Sequence, residues 1–284
     1  MRKLILLFLV CACQAEQSPK EPDPINSIEE NKPAPPGLSS IIAITDTRKP
    51  DAISQAVLQY RINTSMNSPL HCDNDLVILK AFAIRAAHDI NQTGFLDTMI
   101  RDDGRISPGD ERKLNRLGYL VNYVDGEPYL SASPGYLLES LRPCLSAGMI
   151  RFLEEFEKEA RQTATQGEQL QISVDELLRR VLFWEDFMNE YHNFVLKEEV
   201  KTTYHFFLSL YMTGTGTSRA FDARTLHFNP EFRMSYERFM KSNANSPTAK
   251  FISDYYLVLK QNNFYYSSEV ENYYSSVQSP YWGK

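Results

Sequence analysis

The stretch SVDELLRRVLFWEDFMNEYHNFV, residues 173–195, decides the fold class because apolar residues recur in it every three or four positions. Ser173 followed three residues later by Glu176 is the arrangement of a helical capping box. An apolar stripe this wide predicts a central helix over 174–195 that is buried on more than one side. The stripe consists of Val174, Leu177, Val181, Trp184, Met188, Tyr191 and Val195, widened by Leu178, Leu182, Phe187 and Phe194.

Helix starts of one kind recur along the rest of the chain. In each, a residue with a side-chain oxygen precedes a proline, so the oxygen accepts from free amides and the proline occupies the first helical position. These starts are Ser107-Pro108, Ser133-Pro134, Asn229-Pro230 and Ser246-Pro247. The pattern predicts a mainly α fold, arranged either as a multi-helix bundle or as an irregular α-solenoid. No fixed repeat period distinguishes the two arrangements.

The segment before the central helix is amphipathic. Its apolar face contains Met149, Phe152 and Phe156. Charged residues alternate with that face, so they are predicted to point to solvent. They are Glu154, Glu155, Glu157 and Lys158.

Two stretches depart from the helical pattern. Residues 119–124 and 129–131 flank Asp125-Gly126, a dipeptide typical of two-residue hairpin turns, and predict one short β-hairpin near 119–131. Residues 213–218, with the sequence TGTGTS, follow an apolar helix. Because a P-loop would need a Gly-Lys-Ser/Thr ending, this stretch is interpreted as a flexible connection.

The N-terminus has the layout of an export signal. Arg2 and Lys3 precede an apolar run over 4–10, and Cys13 follows the small residue Ala12. The run is far too short to span a bilayer, which takes roughly 20 apolar residues. Residues 1–12 are therefore predicted to be a cleaved signal peptide.

These residues resemble the signal sequence of bacterial lipoproteins. The resemblance implies that Cys13 is lipidated, becomes the new N-terminus and anchors the protein to a membrane. Gln14 in the next position implies delivery to the outer membrane of the cell envelope. A competing cut after Ala15 would release a soluble secreted or periplasmic protein.

The remaining chain divides into a linker and one domain. Residues 13–37 contain six prolines and almost no large apolar side chains, so they are expected to form an extended linker. Residues 38–284 are predicted to be a single helical domain. The formal charge of −6 and the lack of a basic patch argue against nucleic-acid binding, and no motif indicates a cofactor.

Cys72 and Cys144 remain after the two cysteines of the signal region. In an oxidising compartment they are predicted to form one disulfide, and the alternative is two separate buried thiols. No metal site is expected, because neither cysteine has a second cysteine or histidine at finger-like spacing and no histidine pair has i, i+4 spacing.

The C-terminal stretch 251–282 is unusually aromatic, with ten aromatic residues. Exposed tyrosine and tryptophan rings anchor partner interfaces and stack on sugars. The candidates for such a surface are Tyr265, Tyr274, Tyr281 and Trp282. In the alternative interpretation, one tyrosine of each doublet packs inward and its neighbour lies at the rim.

One short stretch suggests an enzyme. Glu139-Ser140, followed by Pro143, Ser146 and Gly148, resembles the Glu-Ser motif of lytic transglycosylases over about a dozen residues, although the Gly-Leu-Met-Gln of that family is absent. The resemblance implies that Glu139 is a general acid with a raised pKa in a sugar groove.

Taken together, these patterns predict a non-enzymatic envelope lipoprotein whose helical domain binds a partner protein or cell-wall glycan. A peptidoglycan-cleaving enzyme centred on Glu139 is the alternative, and a structural spacer is the third hypothesis.

Overall fold

The computed structural model describes residues 37–63 and 68–278, and this part of the chain is mainly helical, as predicted. Its helices are α1 Leu38–Ile44, α2 Ala52–Asn63, α3 Pro69–Asn91, α4 Pro108–Arg116, α5 Pro134–Leu141, α6 Ala147–Arg161, α7 Val174–Glu190, α8 Lys197–Thr213, α9 Pro230–Ser242, α10 Pro247–Gln261 and α11 Ser268–Gln278. Two 3-10 turns, Phe95–Thr98 and Arg142–Cys144, join neighbouring helices. The signal peptide and most of the linker lie outside the described residues.

The predicted helix starts are confirmed by their capping bonds. The side chains of Ser107, Ser133, Asn229 and Ser246 each accept a hydrogen bond from a backbone amide in the first turn of the helix that follows. Ser173 does the same for α7. These starts depend on residues that are neighbours in the chain, so the sequence is sufficient to locate them.

The predicted hairpin is also confirmed. Strands β1 Tyr119–Val124 and β2 Glu127–Ala132 pair in antiparallel register, with Val124 opposite Glu127. Asp125 and Gly126 both have positive φ angles, 52° and 88°, as a type I′ turn requires. The hairpin packs against α3 and α4, and Asn91 of α3 holds it by exchanging two hydrogen bonds with the backbone of Leu130.

The centre of the core is the packed pair α7–α8. Trp184 and Phe187 of α7 are fully buried, and their rings contact those of Phe152 and Phe156 on α6. The prediction of a central buried helix is therefore confirmed. These contacts join segments some 30 residues apart in the chain.

The predicted C-terminal end of that helix is wrong. Helix α7 ends at Glu190, and the φ of −117° and ψ of 61° at Tyr191 leave the helical region. His192 places its ring Nδ1 2.9 Å from the Met188 carbonyl, so this nitrogen donates and satisfies one of the last helical acceptors. The turn brings α8 back onto α7. Phe194 is still buried after the turn, whereas Val195 is 39% exposed.

The predicted solvent face of α6 is wrong at Glu155, whose side chain is fully buried. Its carboxylate accepts hydrogen bonds from Arg179 of α7 at 2.7 Å and from Lys158 at 3.2 Å. Two cationic partners compensate the cost of removing this charge from water. Arg179 comes from a different helix, so the periodicity of α6 alone could not indicate the burial.

Residues 213–218 form a tight hairpin rather than the predicted flexible connection. Strands β5 Gly214–Thr215 and β6 Ser218–Arg219 pair, and they pack on a second small hairpin made of β3 Thr165–Gln166 and β4 Gln169–Leu170. A Cβ at Gly214 would lie 2.1 Å from the Ser218 carbonyl oxygen. The glycine therefore permits a close backbone contact.

Within the described ranges, no helix is both long enough and apolar enough to cross a membrane.

Candidate functional site

A cleft of about 380 Å³ lies between the C-terminal end of α8, the loop 220–229 and helix α11. We call it the C-terminal aromatic cleft. Arg219, Asp222 and Glu271 contribute polar groups to its wall. Its apolar lining consists of Phe221, Leu226, Tyr255, Tyr266, Val270 and Tyr274.

Backbone hydrogen bonds hold the two sides of the cleft together. The amide of Tyr266 donates to the Leu226 carbonyl at 2.8 Å, and the amide of Phe228 donates to the Phe264 carbonyl at 2.7 Å. The loop is closed at its base, where the amide of Asn229 donates to the Ala220 carbonyl at 2.7 Å. These bonds fix the backbone of the loop 220–229 against residues 264–266.

Two large residues beside the cleft have left-handed backbone conformations. Leu226 has φ 56° and Phe264 has φ 61°. For side chains of this size the conformation costs about 1–2 kcal/mol per residue. The Phe264 ring is held by Arg233, whose guanidinium carbon lies 3.9 Å from the ring centre, whereas the Leu226 side chain is 48% exposed. Leu226 thus has a strained backbone conformation while about half of its side chain stays exposed, and strained positions concentrate at functional sites.

Exposed apolar side chains continue around the rim. Tyr265 is 50% exposed and Tyr266 is 42% exposed, next to Leu226. The ring of Tyr266 meets that of Phe221 edge-on at 5.3 Å, and the ring of Tyr265 meets His227 at 4.7 Å. Exposed apolar side chains beside a cleft, with polar groups at its edge, are typical of an interaction surface.

The polar groups at the rim are engaged within the protein. The Asp222 carboxylate accepts from the amides of Arg224 and Thr225 and from the Thr225 hydroxyl, at 2.7–3.0 Å. These hydrogen bonds lower the pKa of Asp222, because they favour the ionised carboxylate. The bonds from Thr225 have the largest effect, followed by the bond from Arg224. Arg219 donates its Nε–H to the Gly216 carbonyl. The hydrogen-bonding groups thus shape the loop, and the exposed part of the cleft is mainly apolar.

Of the four predicted aromatic candidates, the structure places Tyr274 in the lining of this cleft, with its hydroxyl 3.1 Å from the Ser209 hydroxyl. Tyr265 is not among the lining residues; it is half exposed and its ring contacts His227. Tyr281 and Trp282 lie outside the described residues. The alternative interpretation, with one tyrosine of each doublet packed inward, describes the first doublet, in which Tyr255 is buried and Tyr256 is half-buried. It does not describe the second, because Tyr265 and Tyr266 are both exposed.

Sequence reasoning missed Phe221, Leu226 and Tyr266. Tyr266 is the neighbour of a predicted residue, so the aromatic doublet was a usable signal for it. Leu226 stands alone between Thr225 and His227 in a polar stretch, and nothing in its spacing indicates exposure or a left-handed backbone. Its position follows from bonds to residues some 40 positions later in the chain.

Cys72 and Cys144 are brought together by α3 and the 3-10 turn Arg142–Cys144. Both sulfurs are present as thiols, and the two thiols are in hydrogen-bonding contact. Burial, and then the contact with Cys72, raises the pKa of the Cys144 thiol to about 12. A disulfide requires the two cysteines to lie side by side, as they do here. The bond itself stays a prediction.

Glu139 is exposed on α5 and does not line the cleft. The resemblance to lytic transglycosylases implies that Glu139 lies in a sugar groove, but Glu139 is not part of the C-terminal aromatic cleft. The described residues contain no group of three or more His, Cys, Asp or Glu side chains arranged to hold a metal ion.

Comparison with known proteins gave no relative: no family model, no curated protein and no solved structure matches this chain.

Proposed function

We propose that this protein is a lipid-anchored envelope protein whose helical domain, residues 38–284, binds a partner protein through the C-terminal aromatic cleft. The observation that carries the proposal is the exposure of Leu226 and Tyr266 in the wall of an open cleft. Binding energy at protein interfaces concentrates in a few aromatic and apolar side chains that fill such clefts.

Two ligand classes fit an aromatic surface, and the cleft favours a protein over a glycan. A glycan needs hydrogen-bonding groups beside the rings, whereas Asp222 and Arg219 already bond to their own loops. An apolar side chain of a partner protein needs an apolar recess with a polar rim, which is the arrangement present here. We therefore infer that an apolar or aromatic side chain of the partner occupies the cleft.

A double variant tests this function. Leu226→Gly removes the exposed side chain while keeping a residue that adopts positive φ freely, and Tyr266→Ala removes the facing ring. Together they should weaken partner binding by about 2 kcal/mol or more, roughly 30-fold. The measurement is recovery of envelope proteins on the immobilised domain, followed by the affinity of the recovered partner.

Tyr129→Ala is the matched control, because Tyr129 is 37% exposed on the hairpin β1–β2 and does not line the cleft. A partner retained by wild type and by this control but lost by the double variant would support the proposal. Equal recovery of every protein by all three would contradict it.

Lipid attachment at Cys13 is tested separately, since this residue lies outside the described part of the chain. We expect mature protein from the envelope to begin with a lipidated Cys13, because the residues before it resemble a lipoprotein signal. Cys13→Ser should leave an unlipidated precursor or divert it to the cut after Ala15. Intact-mass analysis of wild-type protein with a free N-terminus at Glu16 would rule out the anchor.

A further inference from the structure

A second concave region of about 850 Å³ lies between α6, α7 and α8, remote in sequence from the C-terminal aromatics. This volume is within the range of small-molecule sites, roughly 300–1,000 Å³. The groups that matter to its chemistry are Glu159, Arg180, Thr202, His205 and Phe206.

The Glu159 carboxyl makes one described hydrogen bond. Its Oε1 accepts from the indole Nε1–H of Trp184 at 2.8 Å, and among the described residues no hydrogen bond is made to its second carboxyl oxygen. Burial raises the pKa of Glu159 to about 7. The hydrogen bond from Trp184 and the charge of Arg180 lower this pKa, but their effect is smaller than that of burial. Near neutral pH the carboxyl is therefore present in both protonation states, and it can donate as well as accept.

The positive charge of Arg180 is already compensated. Its Nε donates to the Glu176 carboxylate at 3.1 Å, and another guanidinium nitrogen donates to the Gln162 carbonyl at 2.6 Å. The guanidinium also lies 5.4 Å from the centre of the Phe207 ring. A buried cation with this many partners is a weak site for an anion, since binding would have to replace bonds that exist.

The other titratable groups at the cavity add little net charge. Lys201 and Glu198, both exposed at the rim, pair at 3.1 Å. Burial, and then the charge of Lys201, lowers the pKa of His205, so its imidazole is neutral at pH 7. The walls thus present neither an uncompensated cation for a phosphate nor a stable carboxylate for an amine.

What remains for a ligand is a lining of hydroxyls, imidazole and the Glu159 carboxyl beside an aromatic ring, with no uncompensated permanent charge. Phe206 is 39% exposed, and Thr163 and Thr165 contribute hydroxyls. The Thr202 hydroxyl donates to the Glu198 carbonyl at 2.9 Å and can still accept. Such a lining matches a ligand with an apolar C–H face and several hydroxyl groups, because the ring covers the face and the polar groups exchange hydrogen bonds with the edge.

The geometry points to a binding site for a neutral saccharide in the cavity between α6, α7 and α8, with Phe206 against the face of the sugar and Glu159 bonded to its hydroxyls. This site is separate from the C-terminal aromatic cleft and does not depend on the function proposed for that cleft.

The indole Nε1–H of Trp184 is a reporter for the site, because it bonds directly to Glu159. In ¹⁵N-labelled protein, the indole resonance is assigned with Trp282→Phe and followed during titration with tri-N-acetylchitotriose and maltotriose. We expect the Trp184 resonance to shift on saturation with at least one of them. No shift with either up to about 10 mM would overturn the proposal.

Variants identify the contacts. Phe206→Ala should weaken binding about tenfold or more, whereas Leu257→Ala, which removes a side chain 53% exposed on α10 outside the cavity, should leave it unchanged. Glu159→Gln keeps a donor and an acceptor without charge and should bind within about threefold of wild type. Equal affinity of Phe206→Ala and wild type would overturn the site.

Charged probes distinguish the ligand classes. A larger response of Trp184 to inorganic phosphate, or to an amino sugar whose binding Glu159→Gln abolishes, would contradict a neutral ligand. The Leu226→Gly/Tyr266→Ala variant should bind the saccharide as wild type does, so failure at one site is distinguishable from failure at the other.

Discussion

Trp184→Ala is expected to lower the free energy of unfolding by about 3–5 kcal/mol, the range for truncating a large buried aromatic side chain. The side chain is fully buried, and its ring lies 5.4 Å from that of Phe156 and 5.8 Å from that of Phe187. Alanine would leave a cavity at the junction of α6 and α7. It would also leave the partly buried Glu159 carboxyl without its indole donor.

Chemical denaturation followed by circular dichroism measures this loss. Trp184→Phe separates the two contributions, because it fills most of the space but cannot donate to Glu159. Met234→Ala is the surface control: Met234 is 57% exposed, and its truncation should change stability by no more than about 0.5 kcal/mol. A denaturation midpoint unaffected by Trp184→Ala would place α7 outside the core.

The second large effect is expected from reduction of a bond between Cys72 and Cys144. Closing the 73-residue loop between them should stabilise the domain by about 4 kcal/mol on the chain-entropy model. The structure adds that the two thiols are already in contact, so forming the bond requires no rearrangement of distant segments. Dithiothreitol should therefore lower the denaturation midpoint of protein taken from the envelope.

The double variant Cys72→Ala/Cys144→Ala is the control for this prediction, because its stability should not respond to dithiothreitol. Partial burial raises the pKa of the Cys144 thiol, and a protonated thiol is a poor nucleophile. Full labelling of both cysteines under denaturing, non-reducing conditions would exclude the disulfide and leave two buried thiols.

The burial of glutamate side chains could not be predicted from sequence patterns. Glu155, Glu159 and Glu185 all occur in amphipathic helices, where a glutamate normally faces water. Glu185 is nonetheless buried, and its carboxylate accepts from the amide of Thr248 at 2.8 Å, at the start of α10. The partners that decide these cases lie on other helices, 24 residues away for Glu155, 25 for Glu159 and 63 for Glu185, so periodicity within one helix cannot indicate them.

The predicted binding residues illustrate the same limit. Tyr274 and Tyr265 were selected from the density of aromatic residues; Tyr274 lines the C-terminal aromatic cleft, whereas Tyr265 is half exposed beside His227. Leu226, Phe221 and the Glu159 cavity were not predicted, because each is created by the meeting of separate segments. Glu139, selected from a local resemblance, is exposed on α5 and lines neither concave region.

The sequence by itself determined the fold class, the capped helix starts and the hairpin turn at Asp125-Gly126, because these depend on bonds between residues a few positions apart. Only the tertiary structure decided which glutamates are buried, which tyrosines are exposed and where α7 ends. Those outcomes depend on the residues that distant segments bring into contact, and the cost of burying a charge or exposing a ring is set by those neighbours.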